Sequence, residues 1–304
     1  MIKFKYFFYI LIASIVLYSC GDSGSSVENF DHAAQEKMDN DTIVKFLKNN
    51  YYNVNTDAVE PLKSGETALY DDSKLVTKEV EENDINYKLY YYVISVGDGT
   101  PVYDKNSGNL IRRKGFPTIM DSVFSRYKGR RILGEKTLGN EFDNNTTWFS
   151  LASVISGWTH SFPHFKGGEN KTVPNGPITY EKGGKGILFI PSGLAYRNVS
   201  RPDIPANSVL LFYIELWDTV ENTDQDNDTI PSIFEDPDGD GNPKNDDTDK
   251  DGRPNYLDDD DDGDGILTKY EDKNKDGDPR NDFSDPNNPT IPDYLNRSIR
   301  YSKQ

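Results

Sequence analysis

A chain of 304 residues, 35% hydrophobic and 12% aromatic, has room for one or two globular domains with a buried core and for extensions beyond them. The net charge of −17 sits almost wholly in residues 221–296, where 25 Asp or Glu face 7 Lys or Arg; that balance of −18 leaves about +1 for everything else. A block of this sign repels phosphate backbones and anionic lipid, which excludes nucleic acid as a partner and favours divalent cations.

The chain opens MIKFKYFFYILIASIVLYSC, with Lys3 and Lys5 ahead of an apolar run from Tyr6 to Tyr18. The run is short for a bilayer span and has the length of an export-signal core. Cys20 is the single Cys, so an intramolecular disulfide is impossible. Leu17-Tyr18-Ser19-Cys20 resembles the lipobox of bacterial lipoproteins, although Tyr18 replaces the usual small residue. The resemblance implies a signal peptide over 1–19, lipidation of Cys20 and membrane attachment through that lipid, with residues 20–30 as a tether. The adjacent GDSG is similar to the surroundings of a protease serine, but a flexible polar leader offers no packed scaffold for a nucleophile.

From Asp31, a suitable N-cap, the spacing of Ala34, Met38, Ile43, Val44 and Leu47 predicts an amphipathic helix or two that packs onto the next domain. Residues 31–86 are taken as an N-terminal helical segment; 51–86 are mixed and polar, with no assignable role. At Tyr87 the texture turns aromatic and β-branched. YKLYYYVISVGDG, Asp121–Gly129, Thr179–Ile190 and Asn207–Thr219 read as strands, and the only helix among them begins near Ser156. An antiparallel sheet carrying one short helix, over residues 87–219, is an α+β plan.

The acidic region 220–296 repeats itself at about 36 residues. Alternating Asp residues followed by Gly suit Ca²⁺, which takes six to eight oxygens on a sharply turning loop. Asp260, Asp262, Asp264, Gly265 and Glu271 fit the calcium-loop template D-x-D-x-D-G-x₅-E, and Asp247, Asp249, Asp251, Gly252 and Asp258 form a second copy. Asp224, Asp226, Asp228 and Glu235 make a weaker one with Thr229 in the Gly position. Asp236, Asp238 and Asp240, and likewise Asp272, Asn274 and Asp276, start two more that end differently. No helices flank these loops, which argues against EF-hands. GRPNYLDDDDDGDG resembles thrombospondin type 3 repeats, implying structural Ca²⁺, little regular structure, expansion without the ion and a semi-rigid rod with it. Residues 297–304 form a short tail.

Four motifs occur in the order EFD (Glu141–Asp143), VISGW (Val154–Trp158), IPSGLAY (Ile190–Tyr196) and IPANSVLLFYIEL (Ile204–Leu216). Together they resemble the FKBP-type peptidyl-prolyl cis-trans isomerases over roughly Leu89 to Asp218. The resemblance implies a sheet half-wrapped around the short helix, with a prolyl ring received between them. Trp158 would form the pocket floor, Val154 and Tyr127 its wall, Phe142, Ile204 and Phe212 its rim and back, and Asp143 a carboxylate beside it. Ile155 would offer its N–H, and Tyr196 its hydroxyl, to the peptide. Three features depart from the pattern: Arg197 replaces the Gly that usually follows the LAY tyrosine, Thr147 with Trp148 beside it stands where an aromatic is expected, and KNSGNLIRRKGFPTIM is an insertion.

Such an enzyme needs no cofactor for catalysis and acts on proline-containing polypeptides. The whole resembles isomerase lipoproteins of gliding Bacteroidota, which implies an exported, anchored protein at the outer membrane that assists folding of envelope proteins. The alternative is a non-enzymatic surface or adhesion protein that uses the FKBP domain to bind proline peptides and the calcium rod as a spacer. His160 and His164 lie i, i+4, but Pro163 interrupts the turn and no third ligand is in sight, so they read as solvent-facing.

Overall fold

The computed structural model describes residues 30–300. The expectations for the export signal and for Cys20 fall outside the described residues.

The 18-residue helix α1 (His32–Asn49) runs directly into β1 (Asn50–Asn53), which pairs with β2 (Ala58–Pro61). Its buried stripe is Asp39, Ile43, Phe46 and Leu47, while Met38 is 63% exposed and Ala34 also faces outward. The predicted face is therefore rotated, and the reason is Asp39. Its carboxylate accepts hydrogen bonds from the N–H and hydroxyl of Ser192 at 2.7 and 2.6 Å, and this turns a charged residue inward.

Helix is confined to the first part of 31–86. After β2 comes a 3₁₀ turn at Leu69–Asp71, and then β3 (Leu75–Glu82) joins the main sheet. β3 is an edge strand with Lys78, Glu79, Glu81 and Glu82 along it, and edges tolerate such charge.

Next come β4 (Ile85–Ser95), a hairpin of β5 (Pro101–Tyr103) and β6 (Leu110–Arg113), β7 (Ser122–Gly134), β8 (Thr137–Ser150) and α2 (Ser156–Ser161). The chain continues through β9 (Glu169–Asn170), β10 (Tyr180–Glu181), β11 (Gly184–Ile190) and β12 (Leu210–Val220). The main sheet has the order β3-β4-β11-β12-β7-β8, with every pair antiparallel.

Alternation along the central strands builds two cores. Leu188 and Ile190 of β11 and Leu210, Phe212, Ile214 and Leu216 of β12 join Trp158 and Phe162 on the α2 face. Ile187, Phe189 and Leu211 face the other way, against Ile43, Phe46 and Leu47 of α1. The expected α+β plan is present, with a second helix laid on the sheet's other face. Gly157 sets how closely α2 approaches: a Cβ there would stand 2.5 Å from Ile190 Cγ2.

Beyond β12 the described residues hold only 3₁₀ turns, beginning at Ser232, Asn255, Thr268, Pro279 and Asp293. The region nevertheless folds against the sheet domain. Tyr256 packs with Met120 and Ala152, and the Gln225 side-chain amide donates to the Met120 carbonyl at 2.8 Å. No helix among the described residues is long and apolar enough to cross a membrane.

Candidate functional site

Trp158 lies in the first turn of α2, its backbone N–H donating to the Ile155 carbonyl at 2.8 Å, and its indole is seated on the sheet with 6% exposure. Tyr127 from β7 meets it edge-on at 4.7 Å between centroids, and Phe212 from β12 does so at 5.0 Å. Phe142 from β8 stands perpendicular to Phe212 at 5.6 Å. Edge-to-face contacts of this kind are favoured by the ring quadrupoles. Gly129 makes room for them, since a Cβ there would lie 2.6 Å from Phe142 and 2.7 Å from Phe212. Val154, Ile155, Tyr196 and Ile204 pack on the same cluster, so eight of the nine expected pocket residues come together. The ninth, Asp143, is at the edge, where its carboxylate accepts from the Tyr127 hydroxyl at 3.1 Å.

Burial pushes the Tyr127 hydroxyl up to about 12, helped by Asp143, and raises that of Tyr196 for the same reasons. Both remain neutral donors throughout the physiological range. Ile155 is the N-cap of α2 with extended backbone (φ −60°, ψ 142°), and its N–H has no acceptor among the described residues. The unspent Ile155 amide and the Tyr196 hydroxyl each suit a peptide carbonyl.

These groups border a groove of about 800 Å³ whose near wall is Val154, Ile155, Ala195 and Tyr196. Its far wall includes Glu82 of β3 and Lys244 of the acidic region, neither of which the sequence suggested. Glu82 accepts from the Ser156 hydroxyl at 2.6 Å and pairs with Arg197 at 3.2 Å. The Arg201 guanidinium lies 5.6 Å from the centre of the Tyr196 ring.

The two histidines are half-buried, which corrects the solvent-facing reading. His164 stacks on Tyr91 at 4.7 Å, and burial holds His160 down at about 4. Neither joins a metal-ligand cluster among the described residues.

In the acidic region all five loops share one hydrogen-bond pattern. The first carboxylate accepts from the N–H of the sixth residue: Asp224 from Thr229, Asp236 from Gly241, Asp247 from Gly252, Asp260 from Gly265 and Asp272 from Gly277. Each sixth residue is left-handed, with φ from +86° to +98°, Thr229 included at +87°. Glycine is the residue this turn asks for.

Single oxygens from Asp224, Asp226 and Asp228 lie within 4.8 Å of one another, as do those from Asp247, Asp249 and Asp251 and from Asp260, Asp262 and Asp264. In the second loop Asp236 and Asp238 cluster with Asp246, which the pattern had missed. Several expected ligands stand outside these clusters. Asp240 accepts from Asn242 and Asn245, Asp258 is paired with Arg253 at 3.3 Å, and Asp272, Asn274, Asp276 and Glu271 form no carboxylate triplet. Asp264 is approached by Arg300 at 3.5 Å.

Glu235 and Glu271 are fully buried, and neither oxygen of either has a hydrogen-bond partner. Burial and neighbouring carboxylates push Glu235 up to about 9, Glu271 to about 9 and Asp262 to about 7; the nearby Ser232 hydroxyl steadies the Glu235 charge slightly without meeting hydrogen-bond geometry. Dry, crowded, all-oxygen donors that must otherwise hold protons fit a hard divalent cation such as Ca²⁺.

Residues 113–217 match the family described as FKBP-type peptidyl-prolyl cis-trans isomerase. That segment is similar to the FKBP-type family over about a third of the chain. Residues 225–296 match a second family, described as BamM C-terminal. Among curated proteins, the FKBP-type peptidyl-prolyl cis-trans isomerase FkpA of Buchnera aphidicola subsp. Baizongia pistaciae is 31% identical over 169 residues, 53% of this chain and 59% of the relative. The protein of the same name from Escherichia coli K12 is 38% identical over 107 residues, 34% of this chain and 32% of the relative. The chain thus spans between a third and three-fifths of the length of these relatives. The crystal structure of FkpA from Escherichia coli shares 32% identity over 44% of this chain and 48% of that one, at a TM-score of 0.31.

The departures from the FKBP-type pattern have local explanations. Arg197 sits at φ +54°, the conformation that explains why Gly is usual there, and its ion pair with Glu82 accompanies the strained backbone. Trp148 cannot stand in for the aromatic missing at Thr147, because strand alternation sends it to the opposite face to stack on Phe124 at 5.3 Å. The insertion carries β6, which pairs with the preceding β5, and just after β6 it is tied to β12 by Lys114 and Asp218 at 2.8 Å.

Proposed function

We propose that the chain is a peptidyl-prolyl cis-trans isomerase acting on exported, proline-containing polypeptides, held at the outer membrane by lipid on Cys20 and stiffened at its C-terminal side by Ca²⁺. The observation that carries the reading is the convergence of Trp158, Tyr127, Phe142 and Phe212 from four different elements, with Tyr196 and Ile155 packed against them.

Rotation about an X–Pro bond faces a barrier of about 18–20 kcal/mol because amide resonance is lost on the way. No bond to the substrate needs to form. A floor of aromatic edges takes the prolyl ring out of water, which disfavours the planar and more polar amide relative to the twisted one. Tyr196 and the Ile155 N–H hold the flanking carbonyls, each contributing about 1 kcal/mol. Asp143 keeps the Tyr127 hydroxyl turned to the rim, so the ring presents carbon to the substrate. Catalysis on these terms needs no cofactor.

The lipobox-like Leu17–Cys20 supports the anchor, and the buried carboxylates without partners support Ca²⁺ in the tail, where the repeats resemble thrombospondin type 3 modules. Assistance to envelope-protein folding follows from an isomerase placed where exported chains emerge.

A protease-coupled assay with a proline peptide on residues 21–304 tests the activity. Turnover that falls in Trp158→Phe and Tyr196→Phe supports the reading; binding of proline peptides with no turnover in the unaltered chain makes the domain a binding module instead.

A further inference from the structure

The acidic loops use alternate residues as donors, so the residue between the first two donors points away from its own loop's cation. At that place stand Gln225, Pro237, Thr248 and Lys273, all half-buried or exposed. Asp261 occupies the same place in the fourth loop and is only 2% exposed. A carboxylate facing away from its own site should be in water, and this one is not.

Asp261 points instead toward the first loop. One of its oxygens lies within 4.8 Å of an oxygen from Asp228 and one from Glu235, both fully buried. Asp228 Oδ2, both oxygens of Glu235 and Asp261 Oδ1 have no hydrogen-bond partner, whereas Asp261 Oδ2 accepts from the Thr268 hydroxyl at 3.3 Å. Three buried carboxylates that carry four unpartnered oxygens thus meet in a dry place with no cationic side chain paired to them among the described residues. Three bare carboxylates so placed repel one another strongly, and replacing either end by an uncharged residue would remove the conflict.

We propose that Asp261 is a ligand of a divalent cation shared with Asp228 and Glu235, and that this cation staples the first acidic loop to the fourth across the sequence. The donors are hard and anionic, with no nitrogen or sulfur among them, so the cation is of the Ca²⁺ class. Asp228 also belongs to the Asp224–Asp226–Asp228 cluster, so the staple and the first loop's own site share a carboxylate. The consequence is long-range: the tail closes on itself in Ca²⁺ and its first and fourth loops separate without it.

The inference rests on the reading of the tail as calcium-binding, and titration of the chelator-stripped protein with Ca²⁺ alone separates the two. The unaltered protein, Asp261→Asn, Glu235→Gln and the neighbouring control Asp259→Asn are compared by calorimetry and by thermal melting. Asp261→Asn is expected to lose one bound ion or weaken one site about tenfold or more, and to melt no lower than the unaltered protein when metal-free. Its Ca²⁺-dependent gain in melting temperature should shrink while that of Asp259→Asn does not. A merely structural Asp261 would lower the metal-free melting temperature and leave the stoichiometry alone, which overturns the staple. If Asp261→Asn does not fold, the same readouts on Glu235→Gln decide. Absence of Ca²⁺ binding in the unaltered chain overturns the tail reading as well.

Discussion

Glu82 and Ser156 are joined by a 2.6 Å hydrogen bond that ties the edge strand β3 to the start of α2, 74 residues away. The same carboxylate holds Arg197, so one side chain fixes both the residue after Ile155 and the residue after Tyr196. Those are the two groups proposed to grip the peptide, and small misplacement of such groups is costly. Glu82→Ala is expected to lower kcat/KM by about 3–10-fold, chiefly through KM, with little change in melting temperature because the pair is partly exposed. Steady-state kinetics beside a thermal melt checks the split.

The isomerase rate should be flat between pH 5.5 and 9, as order-of-magnitude bounds set by the neighbouring groups. His160 is held near 4 and so is neutral across that window, while Tyr127 lies near 12 and stays protonated. A pH profile of kcat/KM at saturating Ca²⁺ checks this; a bell-shaped curve would point to acid–base chemistry that the pocket does not contain.

The metal-free acidic region should behave in the opposite sense to an ordinary salt-bridged protein. Folding raises Glu235 to about 9 and Asp261 to about 10, above their unfolded values, so the folded state binds more protons in between. Stability is then greatest below the ordinary carboxylate range and falls as the pH climbs toward 9–10. The proposed Ca²⁺ would take the place of those protons, so its affinity should weaken on acidification. Denaturant melts in chelator and in Ca²⁺ at pH 5, 7 and 8.5, a spread of about two units on either side of neutrality, give both signs in one series.

Thr229→Gly should stabilise the first acidic loop. A β-branched residue at φ +87° is held there against its preference, and relief is worth about 1–2 kcal/mol. The Thr229 N–H that bonds Asp224 is backbone and survives the change. A higher melting temperature and tighter binding at one Ca²⁺ site are the expected readings.

What could be read from the residues followed how local the cause was. Strands β4, β7, β11 and β12 announce themselves by aromatic and β-branched alternation, and the pocket residues other than Tyr127 by four ordered motifs. β3 escaped because an edge strand rich in Glu and Lys lacks that alternation. The buried face of α1 was misjudged because Asp39 turns inward toward Ser192, 153 residues away, a partner no periodicity reveals. In the acidic loops the spacing marked the turn at each sixth residue. The clusters, however, recruit Asp246 and Asp261, whose roles depend on how the loops pack together. Glu82 and Lys244 reach the groove for the same long-range reason.

The central claim is that the aromatic cluster around Trp158 receives a prolyl ring and lets its amide twist. Exchange spectroscopy by NMR on a short cis/trans proline peptide, with a catalytic amount of the chain, tests it most directly. The expected result is accelerated interconversion from an uncatalysed time of tens of seconds or longer, with upfield shifts of the prolyl protons from the Trp158 and Tyr127 rings, both lost in Trp158→Phe/Tyr127→Leu. Unchanged exchange with unshifted prolyl protons at saturating peptide would contradict it.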